Sequence, residues 1–298
     1  MPSTLFSPLY VAIDKGYMRQ QGINADLTVV AAGQDAMAFL GNGQLDAAVA
    51  GLSVGTFNAV NQGLTIRIVS SMGVSPRSGD PSALMVRSDE VQSGAIKSAV
   101  DLKGKKIGAS GGLGATGSYY LAQLLAKANL TLKDVEVLNL GFADMVTGFK
   151  NKSLDAAIPS APFTTQILSE GTAQIPDFGH LPPGVSGTGT IYGLHLLQDK
   201  QLGTKLMNAL VMGARDVQGE QARNPENLKI LANYTKLPVE TLQNMALYDF
   251  RPDLAPDLPT YQTMQEVFIS SGLLKLPQPL TATALVDDTF SKTAAAAK

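Results

Sequence analysis

Apolar residues recur along the chain at two spacings, one typical of strands and one typical of amphipathic helices, and the two alternate. The first helical spacing predicts a helix from Pro8 to about Gln21, which Gly22 ends. The elements predicted next are strand 26–31, helix 34–42, strand 45–50, helix 53–62, strand 65–72 and strand 83–87. Residues 73–81 are rich in glycine, proline and serine and predict a loop.

The same alternation continues to about residue 170, after which the pattern becomes mainly helical. The elements predicted for this middle part are strand 106–110, loop 111–117, helix 118–128, a strand–helix–strand unit over 134–158 and helix 162–170. A linker over 179–189 then leads to a strand over 191–197. The helices predicted beyond it are 200–223, 225–235, 239–248, 260–271 and 282–291. Strands that alternate with helices predict the α/β fold class.

One short sequence occurs twice in the chain. Residues 45–49 read Leu-Asp-Ala-Ala-Val, and residues 154–158 read Leu-Asp-Ala-Ala-Ile. The segments before them, 26–37 and 134–145, align without a gap and share one pattern of strand, glycine turn and helix. Repetition of a whole βαβ unit predicts two similar lobes.

The repeat also predicts a strand that the printed sequence does not contain. In the second copy a strand and a loop precede the helix in which Tyr120-Leu-Ala matches Tyr10-Val-Ala of the first copy. The first copy should therefore have a strand before Ser3, where only two residues stand. Either that strand precedes the printed sequence or the first sheet is one strand short, and we favour the former.

Composition and charge exclude several functions. The chain has no cysteine, so disulfides, thiol nucleophiles and cysteine-ligated metals are excluded. Its two histidines, His180 and His195, do not have metal-ligand spacing. A net charge of −2 without a basic block argues against nucleic acid and anionic membranes as partners. No apolar run is long enough to insert into a membrane. We expect neither a metal nor a cofactor.

The candidate binding residues lie where predicted strands end and helices begin. Ligands of parallel α/β sheets bind at the carboxyl ends of strands, where free backbone N–H groups and the positive end of a helix favour anionic groups. Such serines and threonines also serve simply as helix caps, and this alternative stays open for each of them. The candidates are Ser7, Pro8, Gln34, Leu52, Ser53, Thr116, Gly117, Ser118, Ser160 and Phe163.

Two cations and two further aromatic residues complete the candidate site. Two arginines are candidates to hold a carboxylate or a sulfonate, unless they are solvated surface residues. They are Arg77, in the loop predicted over 73–81, and Arg251. Tyr10 and Tyr192, like Phe163, either line a cleft or belong to the core.

The glycine-rich loop allows two enzymatic alternatives. Gly112-x-Gly114-x-x-Gly117 stands between a predicted strand and a helix, as in dinucleotide-binding proteins, but the next strand ends at Leu140 without an acid for the ribose. Gly108-Ala-Ser110-Gly-Gly112 matches the nucleophile-elbow spacing, although several loop residues separate Ser110 from the helix. An NAD(P)-dependent oxidoreductase that uses this loop is the alternative function.

A set of segments in a fixed order resembles one family. They are Ser7-Pro-Leu-Tyr-Val-Ala12, Lys15-Gly-Tyr17, Gly22-Ile23, Gly43-Gln-Leu-Asp46, Asp101-Leu-Lys-Gly-Lys-Lys-Ile107 and Pro162-Phe163. Together they resemble the nitrate-, sulfonate- and taurine-type solute-binding proteins of ABC importers. Such proteins often carry Glu-Pro where this chain has Ala161-Pro162. Related thiamine-pyrimidine synthases rely on a cysteine-rich motif, which a chain without cysteine does not fit.

The resemblance implies a type II periplasmic-binding-protein fold, with mixed, mostly parallel sheets flanked by helices and two crossover linkers. Lobe one would comprise residues 1–84 and 188–298, and lobe two residues 85–187. The implied function is capture of a small organic anion, a sulfonate or carboxylate with or without an aromatic ring, in a cleft that closes by a hinge. The implied protein is a periplasmic, non-enzymatic monomer that delivers its ligand to a membrane permease, with its signal peptide outside the printed sequence.

Overall fold

The computed structural model describes residues 3–30 and 33–296, except for the side chain of Gln34. Its strands are β1 (Ala47–Gly51), β2 (Arg67–Ser71), β3 (Met85–Arg87), β4 (Lys106–Ala109), β5 (Glu136–Asn139), β6 (Ala156–Ile158), β7 (Ala173–Gln174) and β8 (Thr188–Tyr192).

Helices stand between most of the strands and account for most of the last hundred residues. Those before β8 are α1 (Ser7–Asp14), α2 (Tyr17–Gln20), α3 (Gly33–Gly41), α4 (Val54–Asn61), α5 (Ser88–Gln92), α6 (Thr116–Ala126), α7 (Phe142–Lys150) and α8 (Phe163–Glu170). Those after it are α9 (Leu194–Gln198), α10 (Lys200–Asp216), α11 (Pro225–Thr235), α12 (Val239–Asn244), α13 (Leu258–Ser270), α14 (Ala282–Leu285) and α15 (Thr289–Ala296). Five short 3₁₀ helices cover Thr4–Phe6, Ala99–Leu102, Leu132–Asp134, Asp177–Gly179 and Gly219–Arg223.

The strands form two sheets, the first antiparallel and the second mixed. The first sheet has the order β1-β8-β2, and β8 is antiparallel to both neighbours. The second sheet has the order β5-β4-β6-β3-β7, in which β4 is parallel to β5 and β6 while β3 is antiparallel to β6 and β7. The α/β class with helices flanking mixed sheets is confirmed, and parallel pairing is confined to the strands around β4.

Each sheet packs against a buried apolar cluster on both of its faces. In the first sheet, Ile68 and Ile191 pack into one buried cluster, whereas the next residues, Val69 and Tyr192, pack into another. Successive side chains of a strand point to opposite faces, so the two clusters lie on the two sides of the sheet. The same alternation divides Met85 from Val86 and Ala156 from Ala157 in the second sheet.

The chain crosses between the sheets twice, after β2 and before β8, and the two crossing segments are bonded to each other. The Leu84 N–H donates to Gly179 O at 2.9 Å, and the Ser75 N–H donates to Val185 O at 3.0 Å. The Gly184 N–H returns a bond to Ser75 O at 2.8 Å. The predicted division into two lobes, with boundaries near residues 84 and 187, stays a prediction.

The predicted strand over 26–31 is wrong for the residues that the structure describes. Residues 23–30 form no strand, and the side chains of Leu27 and Val29 are 40% and 60% exposed. In the second copy of the repeat, the matching segment forms β5, which pairs with β4. In the first copy, the described chain pairs β1 only with β8, so no strand lies beside residues 26–30 in the same way. A strand requires a hydrogen-bonded neighbour, so an alternating pattern alone does not produce one. The strand expected before Ser3 lies outside the described residues.

Several other elements differ from their predicted bounds. The helix predicted over 200–223 ends at Asp216, and the helix predicted over 282–291 divides into α14 and α15. The helix predicted from Pro8 to Gln21 breaks into α1 and α2 at Gly16, whose φ of 78° lies in the left-handed region. The strand predicted over 191–197 begins earlier, at Thr188, and the chain becomes helical from Leu194. Part of the predicted linker over 179–189 therefore belongs to β8, because β1 and β2 together provide hydrogen-bonding partners from Thr188 onward.

Close contact between α1 and α10 gives a first testable prediction. A Cβ atom added at Gly213 of α10 would lie 2.2 Å from the carbonyl oxygen of Pro8. The substitution Gly213→Ala must push the helices apart, and we expect it to lower the free energy of unfolding by about 1–3 kcal/mol. Urea denaturation measures the change.

The control for this prediction is Gln201→Ala, at an exposed position of the same helix. It should change the free energy of unfolding by less than about 0.5 kcal/mol. If Gly213→Ala were as stable as the control, the close packing of α1 on α10 would be contradicted.

Candidate functional site

A cavity of about 210 Å³ lies between the two sheets. The first sheet lines it with the end of β1, at Val49, Ala50 and Gly51, and with the start of β8, at Thr188. From the second sheet it is reached by Ser110, just after β4, and by Ile158 at the end of β6. The carboxyl ends of strands in both sheets thus meet at one cavity, as expected for an α/β ligand site.

The polar side chains that line this cavity are all hydroxyls. Segments attached to the first sheet contribute Ser3, Ser53, Ser75, Thr188 and Tyr248. Segments attached to the second sheet contribute Ser82, Ser110, Thr116, Tyr120 and Ser160. Among the residues that the structure describes, no Asp, Glu, Lys, Arg or His lines the cavity. The neighbouring residues that the description omits, Ala31, Ala32 and the Gln34 side chain, are uncharged by sequence.

The remaining lining is apolar and includes two aromatic rings. Phe6 comes from the segment before α1, and Phe142 begins α7. Phe142 packs against Phe163 with ring centroids 5.9 Å apart. Leu5, Val30, Val49 and Ile158 complete the large apolar side chains of the lining. A ligand with an apolar body and a polar end matches this division of the surface.

Thr116, in the first turn of α6, joins the two sides of the cavity. Its hydroxyl lies 2.9 Å from the carbonyl oxygens of both Leu52 and Gly187, to which it donates. The Val54 N–H donates to Gly114 O at 2.8 Å beside it. A Cβ atom at Gly51 would lie 2.9 Å from Thr116 Oγ1, so glycine at that position permits the close approach. The helix N-terminus is thereby held against the end of β1.

Tyr120 makes the next contact between the two sides. Its phenolic oxygen accepts a hydrogen bond from the Gly187 N–H at 3.0 Å. Burial raises the pKa of Tyr120 above its ordinary value, while the bond from Gly187 opposes the shift. The phenol therefore keeps its proton at neutral pH and can donate it to a ligand.

A second set of contacts closes the opposite wall. Ser160 and Tyr248 share a hydrogen bond of 2.7 Å between their hydroxyls. Ser3 Oγ donates to Ala161 O at 3.1 Å. Burial raises the pKa of Tyr248 to about 12, and the bond with Ser160 opposes that rise. Residues far apart in sequence thus form one neutral, hydrogen-bonded wall.

Four of the residues chosen from the sequence line the cavity, namely Ser53, Thr116, Gly117 and Ser160. Ser53 also caps α4, because its hydroxyl accepts the Thr56 N–H at 3.4 Å. Capping and cavity lining are therefore not alternatives at this residue. Gln34 lies in the first turn of α3, next to the lining residue Gly33, but its side chain is outside the described part.

Three predicted residues lie directly behind the lining. Leu52 is fully buried and offers its carbonyl oxygen to Thr116. The Ser118 hydroxyl accepts the Gly114 N–H at 3.0 Å and donates to Ala115 O at 2.9 Å, which holds the glycine-rich loop in place. Phe163 supports Phe142 from behind.

Four others lie in the core or hold local structure and do not reach the cavity. The Ser7 hydroxyl donates to Thr4 O at 2.7 Å, and Pro8 is in the first turn of α1. Tyr10 stacks on Tyr234 with centroids 4.3 Å apart. Tyr192 is fully buried and donates to Gly203 O at 2.8 Å. An aromatic residue near a strand or helix end does not reveal which way its ring points.

Neither predicted arginine lines the cavity. The Arg251 guanidinium donates to Ala255 O at 3.0 Å and to Gly184 O at 3.3 Å, and it pairs with Asp257 at 3.2 Å. It therefore anchors the second crossing segment to the first sheet's side. Arg77 is exposed in the loop after β2. A sulfonate or carboxylate in the cavity would have no arginine beside it.

Several lining residues were not among those predicted. Phe142 and Ser110 follow strand ends, so the rule that chose Ser53 and Ser160 was sufficient to find them. Phe6 directly precedes α1, and Ser75 lies in the loop that follows β2. Tyr248 gave no such signal, since it reaches the wall through a bridge between Val74 and Asp249 that only the fold creates.

The two enzymatic alternatives receive no support from the geometry. A Cβ atom at Gly112 would meet that of Asn139 at 3.0 Å, and one at Gly114 would meet Val54 at 2.9 Å, so these glycines serve packing within the protein. Neither histidine is placed to activate Ser110, because His180 contacts Asp80 and His195 contacts Asp46, and both are exposed. Within the described residues no group of three His, Asp or Glu could hold a metal.

Solved structures show that this is the fold of the periplasmic binding proteins. The alkanesulfonate-binding protein SsuA from Xanthomonas axonopodis pv. citri, bound to MOPS, aligns with a TM-score of 0.72 at 19% identity over 95% of each chain. The periplasmic nitrate-binding protein NrtA from Synechocystis PCC 6803 also aligns with a TM-score of 0.72, at 14% identity over 98% of this chain and 86% of the other.

Residues 3–173, more than half of the chain, match the family model described as NMT1/THI5 like. The chain therefore belongs to the NMT1/THI5-like family, and the resemblance recognised in the sequence is confirmed. A protein of Brucella abortus (strain 2308) described as a binding protein is 31% identical over 147 residues. This match spans 49% of the chain and 41% of the relative's length. Where the structure describes the chain, no helix is both long and apolar enough to cross a membrane.

Loss of the Thr116 hydroxyl should weaken the contact between the two sides. Thr116→Val keeps the shape but removes the Thr116 hydrogen bond to Leu52 O and one of the two bonds to Gly187 O, which also accepts the Leu52 N–H at 2.9 Å. We expect the free energy of unfolding to fall by about 1–3 kcal/mol, measured by urea denaturation.

Thr263→Val is the matched control, since the Thr263 hydroxyl donates at 2.9 Å to Pro259 O within its own helix, on the solvent side. That substitution should have a much smaller effect. Equal losses in the two variants would show that Thr116 does not hold the two sides together.

Proposed function

We propose that this protein is the solute-binding component of an ABC importer and that it captures a small organic anion in the cavity between its sheets. The observation that carries the proposal is a single neutral cavity whose lining comes from both sheets and combines hydroxyl groups with two phenylalanine rings. Family membership and the fold it shares with SsuA and NrtA support a binding role. No acid–base pair or activated nucleophile at the cavity supports an enzymatic one.

The anionic group of the ligand would lie against the N-terminus of α6. The first N–H groups of a helix have no partner within the helix, and the helix dipole places partial positive charge there. Thr116 and Gly117 of this first turn line the cavity. The hydroxyls supply the other hydrogen bonds, so a sulfonate or carboxylate is bound without an arginine or lysine. Phe6 and Phe142 would contact the apolar body.

Binding would be coupled to closure of the two sides over the ligand. The two crossing segments are bonded side by side, which makes them a natural hinge. The contacts of Thr116, Tyr120 and Ser160 across the cavity would form when the cleft closes. A membrane permease would recognise the closed form, and we propose a periplasmic monomer as the working state. The NAD(P)-dependent alternative has no observation in its favour.

A ligand panel tests this function directly. Ethanesulfonate, propane-1-sulfonate, benzoate, benzenesulfonate and nitrate are added to the protein, and unfolding is followed by differential scanning fluorimetry. At least one compound should raise Tm, because a ligand present at 100 times its Kd stabilises the native state by about 2.7 kcal/mol. Small-angle scattering should show a smaller radius of gyration with that compound. A panel without any shift, together with no ligand in native mass spectra, would contradict the proposal.

A variant in the lining locates the site. Phe142→Ala removes one of the two lining rings, and we expect about tenfold weaker binding of the stabilising compound by calorimetry, which corresponds to a loss of about 1.4 kcal/mol. Leu168→Ala is the control, because that side chain is 45% exposed on the neighbouring helix α8. If both variants bound equally well, the ligand would not occupy this cavity.

A further inference from the structure

We infer that Ser75, Ser110 and Tyr120 donate the hydrogen bonds that recognise the polar end of the ligand, and that the site rejects ligands that carry a protonated amine. This inference rests on the proposed function and narrows its ligand class. The first part follows from which hydroxyl protons of the lining are already committed within the protein, and the second from the lack of a carboxylate in the described lining.

Three lining hydroxyls have their protons committed to backbone carbonyls. Ser3 donates to Ala161 O at 3.1 Å, Ser82 donates to Pro159 O at 2.9 Å, and Thr116 donates to Leu52 O and Gly187 O at 2.9 Å. These hydroxyls can still accept a hydrogen bond, but they have no proton left to give to a ligand. Donation to a ligand therefore falls to other hydroxyls of the lining.

Three other lining hydroxyls keep their protons available. Ser75 is only 9% exposed, and its backbone is fixed by Val185 and Gly184, yet no bond of its hydroxyl is found in the described residues. Ser110, just after β4, is half-buried, and its hydroxyl likewise has no bond among the described residues. Tyr120 accepts a bond from Gly187, and its proton is free to point into the cavity. None of these three oxygens is a fully buried atom without a partner, so the protons are available to a ligand that supplies acceptors.

A protonated amine meets unfavourable conditions in this cavity. It carries a full positive charge, and a buried charge requires a partner of opposite charge. The described lining offers hydroxyl oxygens as acceptors but no carboxylate, and the partial positive charge at the start of α6 repels a cation. Phenylalanine faces can attract a cation, but this attraction does not replace the lost hydration of an ammonium group.

Matched pairs of ligands test the inference on the full chain at neutral pH. The pairs are ethanesulfonate with 2-aminoethanesulfonate, propane-1-sulfonate with 3-aminopropane-1-sulfonate, and benzoate with 4-(aminomethyl)benzoate. In each pair that binds, calorimetry should give at least about tenfold tighter binding for the member without the amine. Equal or tighter binding of the amino member would overturn this inference and leave the proposed function intact. Failure of all six compounds and of the wider panel would overturn both.

Two variants assign the donors. Ser75→Ala and Ser110→Ala should each weaken binding of the preferred compound about tenfold, because each removes a hydrogen bond to a charged group. Ser169→Ala is the control, since the exposed Ser169 hydroxyl donates to Gln166 O on the surface of α8 and should leave the affinity unchanged. Circular dichroism and Tm confirm that the variants fold. Unchanged affinity in both lining variants would show that these hydroxyls do not recognise the ligand.

Discussion

Backbone pairing of β8 with both β1 and β2 is the constraint on which the first sheet depends, because in the described chain β1 and β2 do not pair with each other. The strand arrives from the second sheet, so the fold is complete only after the chain has crossed over and returned. Its first residues also build the site. Thr188 lines the cavity, and Gly187 exchanges hydrogen bonds with Thr116 and Tyr120 of α6. One pairing therefore positions the sheet, the crossing segment and the cavity wall.

The candidate site has a simple chemical character. Its polar surface is made of hydroxyls, some committed to carbonyls of the protein and some available, and its apolar surface contains the rings of Phe6 and Phe142. Formal charges lie elsewhere: Arg251 pairs with Asp257 and holds a crossing segment. Recognition of an anion in such a cavity depends on the orientation of dipoles, which only a rigid frame can maintain.

Much of this arrangement could be predicted from local pattern. The repeated Leu-Asp-Ala-Ala marked β1 and β6, and the residues just beyond them, Ser53 and Ser160, line the cavity. The same pattern failed over residues 26–30, where Leu27 and Val29 alternate as in a strand but have no strand beside them. It also could not show that Tyr10 and Tyr192 point into the core, since side-chain direction at an element's end depends on what packs against it.

By itself the sequence determined the α/β class, the internal repeat, the loops at strand ends and the absence of cysteine. These are properties of neighbouring residues, and neighbouring residues determine turn chemistry and hydrophobic period. Tertiary structure alone decided which hydroxyls share one cavity, which of them keep a free proton, and that neither Arg77 nor Arg251 lines it. Those outcomes depend on contacts between distant segments, such as Ser160 with Tyr248, which no local pattern encodes.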